Sequence, residues 1–363
     1  MTRQENNPST SETFRPRGRA TLIGSLPVAD HQQGLDLINH YTPDIPLWPQ
    51  LPSNRKEGML VQFMEGMVGL VEGERTYFDT GGNFEEELLP FFEELIAVGE
   101  NPALLMDSRF AVSRERAAGL YLLKEKVDPG KAVALKGQIT GPFTQLTGLQ
   151  DQDKKLGYYN PSLREMIVQG LALKAAWQIR FLKDPGLPVI VFIDEPALAG
   201  LGSSAFISIS RDDIGQDIGQ VTAAIHDAGG LAGVHVCANT DWTLLLRSDL
   251  DVISFDAHGF FDRFITCRED IYTYLDRGGI IAWGIVPTGS SELVASETTD
   301  SLVAKWESQA AEMASEKWDA PAILSQTLIT PSCGTGSLDP ASAEKVLRMT
   351  SEVSETLRRR YLS

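Results

Sequence analysis

The chain has 363 residues and a formal net charge of −17, and 42% of its residues are hydrophobic. This composition is typical of a globular protein in water, and its acidity disfavours binding to nucleic-acid phosphates. No apolar stretch approaches the ~20 residues that cross a bilayer, so we expect neither a nucleic-acid nor a membrane partner. Three widely spaced cysteines and a polar N-terminus without an apolar signal core favour a cytoplasmic protein.

Residues 1–18 are polar and predict a disordered N-terminal lead-in. From residue 19 onward, short apolar runs bounded by turn residues alternate with helical patterns. The apolar runs predict eight buried parallel strands: Thr21–Ser25, Ile45–Trp48, Ala132–Gln138, Val189–Ile193, Leu231–His235, Val252–Asp256, Ile280–Ile285 and Thr327–Thr330.

Helices are predicted between these runs, at Asp30–Tyr41, Glu57–Val71, Pro161–Leu182, Asp212–Ala228, Asp262–Arg277, Thr299–Ser315 and Pro340–Tyr361. Eight strands with intervening helices predict an α/β fold, a single-domain (β/α)₈ TIM barrel over residues 19–363. The segment at about 71–131 fits no strand or helix of the barrel, and we expect it to form an excursion over the barrel mouth. Sites in such barrels form at the C-terminal ends of the strands.

Two of the cysteines follow predicted strand ends, and one of them is close to a histidine. His235 and Cys237 are two residues apart, so they point to the same side of a strand, and Cys333 follows the last predicted strand. Imidazole and thiolate ligands suit zinc. A set of three leaves a position for a substrate atom, which is typical of a catalytic metal. Cys267 lies in a predicted helix and is interpreted as structural.

A carboxylate is a candidate for a further ligand. Asp256, at the end of the sixth predicted strand, is either a metal ligand or a residue that orients His235, and the sequence leaves both roles open. His258, two residues further on, competes with Asp256 for the ligand role.

Asp194 and Glu195 end the fourth predicted strand and are candidate catalytic residues for acid–base work or for binding a substrate ammonium. Because adjacent side chains on a strand point in opposite directions, only one of the two is expected to face the site directly.

Further candidates for substrate binding follow other predicted strands. Gly24 and Ser25 offer a backbone N–H and a hydroxyl after strand one, with a plain turn as the alternative. Gln50 follows strand two. Trp242 follows the His235 and Cys237 pair and is a candidate for stacking on a ligand, with a core position as the alternative.

These motifs together resemble the catalytic barrel of cobalamin-independent methionine synthase, in the superfamily that includes uroporphyrinogen decarboxylase. The matching segments keep the family's order and are Ile23–Pro27, Lys136–Pro142, Ile193–Leu198, His235–Cys237, Asp251–Asp256 and Pro331–Gly334. The resemblance implies that His235, Cys237 and Cys333 bind a zinc ion that holds the thiol of homocysteine. It also implies that Ser25 with neighbouring backbone holds the amino-acid carboxylate, and that Asp194 faces the amino group.

Three departures from the family qualify this resemblance. Asp256 stands where the family has a glutamate ligand, Gln50 replaces an expected acid, and the chain has no room for the second barrel of longer members. The predicted function is therefore zinc-dependent transfer of a methyl group to a thiol acceptor, with a folate or, by analogy with single-barrel relatives, a methylcobalamin-bearing corrinoid protein as donor.

Two alternatives stay open at this point. One is a metal-free decarboxylase of the uroporphyrinogen type, for which Arg15, Arg17 and Arg19 are the only basic cluster near the first strand. The other is a non-catalytic subunit that binds zinc or a corrinoid.

Overall fold

The computed structural model describes residues 14–183, 186–203 and 206–362. The strands of the described residues are β1 (Leu70–Glu72), β2 (Thr76–Phe78), β3 (Leu135–Thr140), β4 (Val189–Asp194), β5 (Leu231–Val236), β6 (Val252–Phe255), β7 (Ile280–Val286) and β8 (Thr327–Pro331). The α-helices are α1 (His31–Tyr41), α2 (Phe84–Glu100), α3 (Ala118–Lys126), α4 (Pro142–Gly148), α5 (Pro161–Leu182), α6 (Arg211–Asp227), α7 (Trp242–Leu246), α8 (Ala257–Phe264), α9 (Arg268–Asp276), α10 (Ser291–Ser296), α11 (Thr299–Met313), α12 (Ala320–Ser325) and α13 (Pro340–Tyr361). Among these helices, none is long and apolar enough to span a bilayer.

Strands β3 to β8 form one parallel sheet in which each strand pairs with the next in chain order. The registers place Asp194 beside His235, and His235 beside Ser254. Because parallel strands run in one direction, their C-terminal ends meet at one edge of the sheet. This curled six-stranded sheet corresponds to the last six of the eight predicted strands.

The first two predicted strands do not form regular strands. Residues 20–25 and 45–50 make isolated parallel bridges, Ala20 to Ile329, Ser25 to Gln50 and Leu47 to Lys136. Backbone hydrogen bonds connect them to β8 on one side and β3 on the other, through Thr21 N to Ile329 O (3.1 Å) and Lys136 N to Pro46 O (3.0 Å). Pro46 and Pro49 lack the N–H that a continuous ladder needs, which accounts for the interruption.

The side chains of the sheet alternate between two environments. On the outer face, apolar residues such as Ile253, Phe255 and Trp283 pack against the surrounding helices. On the inner face, a smaller apolar cluster fills the end nearest the strand N-termini: Phe14, Ile45, Ala134, Ile190, Phe192, Leu231, Val252, Ile280, Ala282 and Leu328. Further along the same inner face, toward the strand C-termini, the residues become polar. A polar end of the sheet interior can hold a functional site.

The N-terminal boundary differs from the prediction. Residues 1–13 of the predicted lead-in lie outside the described residues, but Phe14 is only 5% exposed and belongs to the inner cluster. The packed chain therefore begins earlier than residue 19.

The predicted helix Glu57–Val71 is wrong. A 3₁₀ helix at Arg55–Glu57 is followed by turns up to the antiparallel pair β1 and β2. Gly66 and Gly69 adopt left-handed φ angles of 82° and 74°, which end a right-handed helix. The region of the predicted excursion then contains this strand pair, α2 and α3, with a 3₁₀ helix at Pro102–Asp107 between the two helices.

Candidate metal centre

The C-terminal end of β5 places His235 inside the curled sheet. Its side chain is buried, and its Nδ1 lies 2.9 Å from the Ser254 hydroxyl of the neighbouring strand β6. With Nδ1 taken up by this hydrogen bond, Nε2 is the free ring nitrogen. Nε2 is buried and has no hydrogen-bond partner. A buried ring nitrogen without a partner costs free energy unless a ligand occupies it.

Cys237 and Cys333 lie close to the His235 ring. Cys237 is on the same side of the chain as His235, and Cys333 arrives from the turn after β8. One ligand atom from each of the three residues lies within 4.8 Å of the other two. The structure therefore brings together the three residues that the sequence predicted as metal ligands.

The protonation states of this cluster suit a soft divalent metal. Burial lowers the pKa of His235 to about 3, helped by the charge of Lys136, so its imidazole is neutral. A hydrogen bond from the Cys333 thiol lowers the pKa of Cys237 to about 7, and the same contact raises the pKa of Cys333. One neutral imidazole and two cysteine sulfurs form a donor set that fits zinc.

The three residues line a cavity of about 370 Å³. This volume is large enough for a small organic ligand. The other residues that line it are Ile23, Ser25, Gln50, Pro52, Glu57, Gly58, Met59, Thr140, Asp194, Pro196, Gly334, Gly336 and Ser337.

Asp194 projects into this cavity from the end of β4. Its Oδ1 is buried and has no hydrogen-bond partner. Burial raises the pKa of Asp194 to about 7, and the positive charge of Lys136 opposes that rise. An unpartnered carboxylate oxygen in a cavity wall is suited to accept a hydrogen bond from a ligand.

Glu195 does not face the cavity. Its carboxylate accepts hydrogen bonds from the backbone N–H groups of Phe143 (2.9 Å) and Thr144 (2.8 Å) and from the Thr144 hydroxyl (2.6 Å). Burial raises its pKa to about 7 against these hydrogen bonds. The predicted catalytic role of Glu195 therefore has no support in this geometry, because the carboxylate caps the start of α4.

The predicted substrate-binding residues of the first two segments lie at the cavity. Ser25 and Gln50 both line it, and Gln50 donates from Nε2 to Gln62 Oε1 at 2.6 Å. Gly24 packs beside them: a Cβ there would lie 2.4 Å from Gln50 Oε1, so a larger residue would displace the Gln50 side chain.

Trp242 and Asp256, both predicted as candidate site residues, contact other parts of the protein. Trp242 is 2% exposed and packs edge-on against Phe255 and Phe264 on the outer face of the sheet, so it is a core aromatic. Asp256 Oδ1 accepts from Gly259 N at 2.8 Å, at the start of α8, and Asp256 is not part of the ligand group. Ser254, rather than Asp256, contacts the imidazole of His235. The competing candidate His258 is paired with Glu297 instead, at 2.8 Å.

No protein-family model matches this chain, and no curated protein matches it. A solved structure described as the "Putative Vitamin-B12 Independent Methionine Synthase" of Listeria monocytogenes is similar, with a TM-score of 0.51 and 14% identity over 90% of this chain and 85% of that one. A pneumococcal exo-β-D-N-acetylglucosaminidase structure aligns at a TM-score of 0.47 and 9% identity, over 93% of this chain and 85% of that one. The first of these likenesses concerns the overall fold alone.

Three residues around the cavity escaped the sequence reasoning. Ser254 is two residues before Asp256 and thus on the same strand face, but its contact with His235 depends on the register between β5 and β6. Lys136 interrupts an apolar predicted strand, which marks a buried charge. Met59 lines the cavity from a segment predicted as helix, and no local signal pointed to it.

Proposed function

We propose that this protein is a zinc-dependent methyltransferase that methylates a thiol. The observation that carries the proposal is the cluster of His235, Cys237 and Cys333 in the cavity wall, with the buried Nε2 of His235 unpartnered. The likeness to a methionine synthase-type fold supports the same conclusion.

The three residues would hold the ion, and bound zinc would supply a Lewis acid that keeps a substrate thiol ionised near neutral pH. The chain orients the acceptor and supplies apolar surface that limits water around its sulfur. Asp194 offers its free carboxylate oxygen to a donor group of the acceptor, and Ser25 offers a hydroxyl in the same cavity lining. Ile23 and Met59 supply apolar surface that limits water around the reacting sulfur.

The proposed identities of the acceptor and of the methyl donor rest on the sequence resemblance. Homocysteine is the proposed acceptor, and a corrinoid protein carrying methylcobalamin is the proposed donor partner, with folate as the alternative. We place the reaction in the cytoplasm because three wide-spaced cysteines suit a reducing compartment.

We also infer that residues 20–25 and 45–50 complete an eight-stranded barrel, because their bridges connect β8 to β3.

The decarboxylase alternative gains no support from the structure. Arg15 contacts Gln326, the Arg17 N–H donates to Ser325 O, and Arg19 pairs with Asp44, so all three arginines lie at the strand N-terminal end. No arginine or lysine is among the residues that line the cavity. A polyacid substrate would find no cationic partner on this wall.

The first test separates zinc ligation from general cysteine chemistry. Cys237→Ser should lose bound zinc and methyl transfer together, because a ligand sulfur is removed from the site. Cys267→Ser is the matched control, since Cys267 is also a free, half-buried cysteine but lies near Thr243, outside the ligand group. Metal analysis of both purified variants, with wild type beside them, measures the effect. Full activity in a zinc-free Cys237→Ser preparation would refute the proposal.

A second assay separates an enzyme from a binding subunit. Zinc-loaded protein is incubated with homocysteine and free methylcobalamin, and methionine formation is measured. Zinc binding without any thiol methylation, by this donor or by a methyl-folate, would favour the non-catalytic subunit.

A further inference from the structure

Two lysines of the described residues are enclosed in the interior, Lys136 on β3 and Lys174 on α5. Burying an ammonium costs free energy unless polar groups replace its water. Lys174 donates to the carbonyl oxygens of Arg109 (3.4 Å) and Ala111 (3.3 Å), and these bonds connect α5 to the excursion. Its position is explained by packing, whereas that of Lys136 is not.

The contacts of Lys136 are with neutral groups. Its Nζ donates to Ile23 O at 2.6 Å and to Gln138 Oε1 at 3.4 Å, and it lies 4.4 Å from the ring centre of Phe192. The acidic group whose charge acts on Lys136 is Asp194. Lys136 and Thr140 share the inner face of β3, and Thr140 pairs in register with Asp194. The backbone of Lys136 therefore lies four residues before the level of Asp194 along the sheet, and its ammonium contacts Ile23, a residue that lines the cavity.

Negative charge would accumulate in the wall of this cavity. Asp194, Cys237 and Cys333 all line the cavity, and an acceptor thiol adds another anion when it ionises and its proton passes to the buffer. No residue in the cavity lining is a lysine or an arginine. Besides the charge of a bound metal ion, the positive charge that acts on this wall is that of Lys136, which reaches both Asp194 and His235.

We propose that Lys136 is a positioning residue that supplies the countercharge for a thiolate bound in this cavity; the inference rests on the proposed thiol chemistry. Burial lowers the pKa of Lys136 to about 8, so the ammonium form still predominates at pH 7. Since thiol ionisation adds one negative charge, loss of Lys136 should weaken thiol binding more than metal binding. A neutral imidazole and two cysteine thiolates already match the charge of a divalent ion, so binding of the ion should depend little on Lys136.

The experiment uses the full chain loaded with Co²⁺, whose absorption spectrum reports thiolate ligation, and ethanethiol as an uncharged thiol probe without a hydroxyl or amino group that could donate to Asp194. Thiol affinity is measured at pH 7 for wild type, Lys136→Met, Lys174→Met, Asp194→Asn and Lys136→Met combined with Asp194→Asn. We expect Lys136→Met to bind Co²⁺ normally but to bind the thiol about tenfold more weakly, the order expected for one unit charge acting across a protein interior. Asp194→Asn should bind the thiol more tightly, and the double variant should recover most of the loss.

The following control and outcomes test the countercharge role of Lys136. Lys174→Met removes the other buried ammonium and should leave thiol affinity unchanged. Equal losses in both lysine variants, or an unchanged thiol affinity in Lys136→Met, would overturn the countercharge role. If Lys136→Met does not fold, the Asp194→Asn protein still tests the idea, since weaker thiol binding there contradicts it. A wild-type protein that binds no Co²⁺ at this cluster defeats the proposed function instead.

Discussion

At the scale of single residues, the Ser254 hydroxyl determines which nitrogen of His235 is free. It lies 2.9 Å from Nδ1 and accepts the Nδ1–H, which leaves the buried Nε2 lone pair without a partner. Removing such an orienting group costs about 10- to 100-fold in metal affinity. We expect Ser254→Ala to bind zinc more weakly by about this factor, measured by competition with a chelator.

Ser354→Ala is the control for this prediction. Ser354 is also a buried serine, and its hydroxyl donates to Gly18 O at 2.6 Å, at the other end of the molecule. Its loss should lower stability without changing zinc affinity. Equal zinc affinity in Ser254→Ala and wild type would show that packing alone orients the imidazole.

The sequence predicted the cluster of His235, Cys237 and Cys333 but not the residues that support it, and the reason is physical. His235 and Cys237 obey the two-residue period of a strand, so their common direction could be read directly. Ser254 contacts His235 only through the register between β5 and β6, which no local pattern encodes. Trp242 illustrates the opposite error, because proximity in sequence to the ligands placed it near the site while its ring packs on the outer face.

At the scale of elements, Glu195 connects β4 to the start of α4. Its carboxylate accepts from the N–H groups of Phe143 and Thr144, which have no partner inside the helix. We expect Glu195→Ala to lower the free energy of unfolding by about 2–4 kcal/mol, because two buried donors lose their acceptor. Urea denaturation measures this loss, and zinc content of the folded variant should equal that of wild type.

A different result would restore the catalytic interpretation of Glu195. That interpretation requires methyl transfer to disappear in Glu195→Gln, which keeps the size of the side chain and one acceptor oxygen, while zinc content and stability stay near wild type. The capping role instead predicts that activity per folded molecule is largely kept in Glu195→Gln.

The elements themselves were predictable to different extents. Strands β3 to β8 are apolar runs with a turn at each end, and both features are local. Residues 45–50 contain an equally apolar run, but Pro46 and Pro49 remove backbone donors and leave bridges instead of a ladder. The segment after Glu57 looked helical by composition, yet its glycines at left-handed φ decided the backbone.

At the scale of the whole molecule, the interior of the curled sheet divides into an apolar end and a polar end. The apolar end joins Phe14 to residues at or beside every strand of the six-stranded sheet. The polar end holds Asp194, His235 and Ser254 at the opposite strand termini. This division lets one end provide stability while the other carries unpartnered polar atoms.

Phe14 lies at the apolar end and tests this division. It comes from outside the sheet, yet it is 5% exposed and contacts the inner cluster. We expect Phe14→Ala to lower the free energy of unfolding by about 3–5 kcal/mol, the usual cost of truncating a buried phenylalanine. Because the cluster connects residues at or beside all six strands of the parallel sheet, the loss should appear as one cooperative transition at lower urea. Leu89→Ala, which truncates a side chain that is 63% exposed, should change stability little. Zinc affinity of folded Phe14→Ala should match wild type, and a parallel loss of zinc affinity would show that the two ends are coupled.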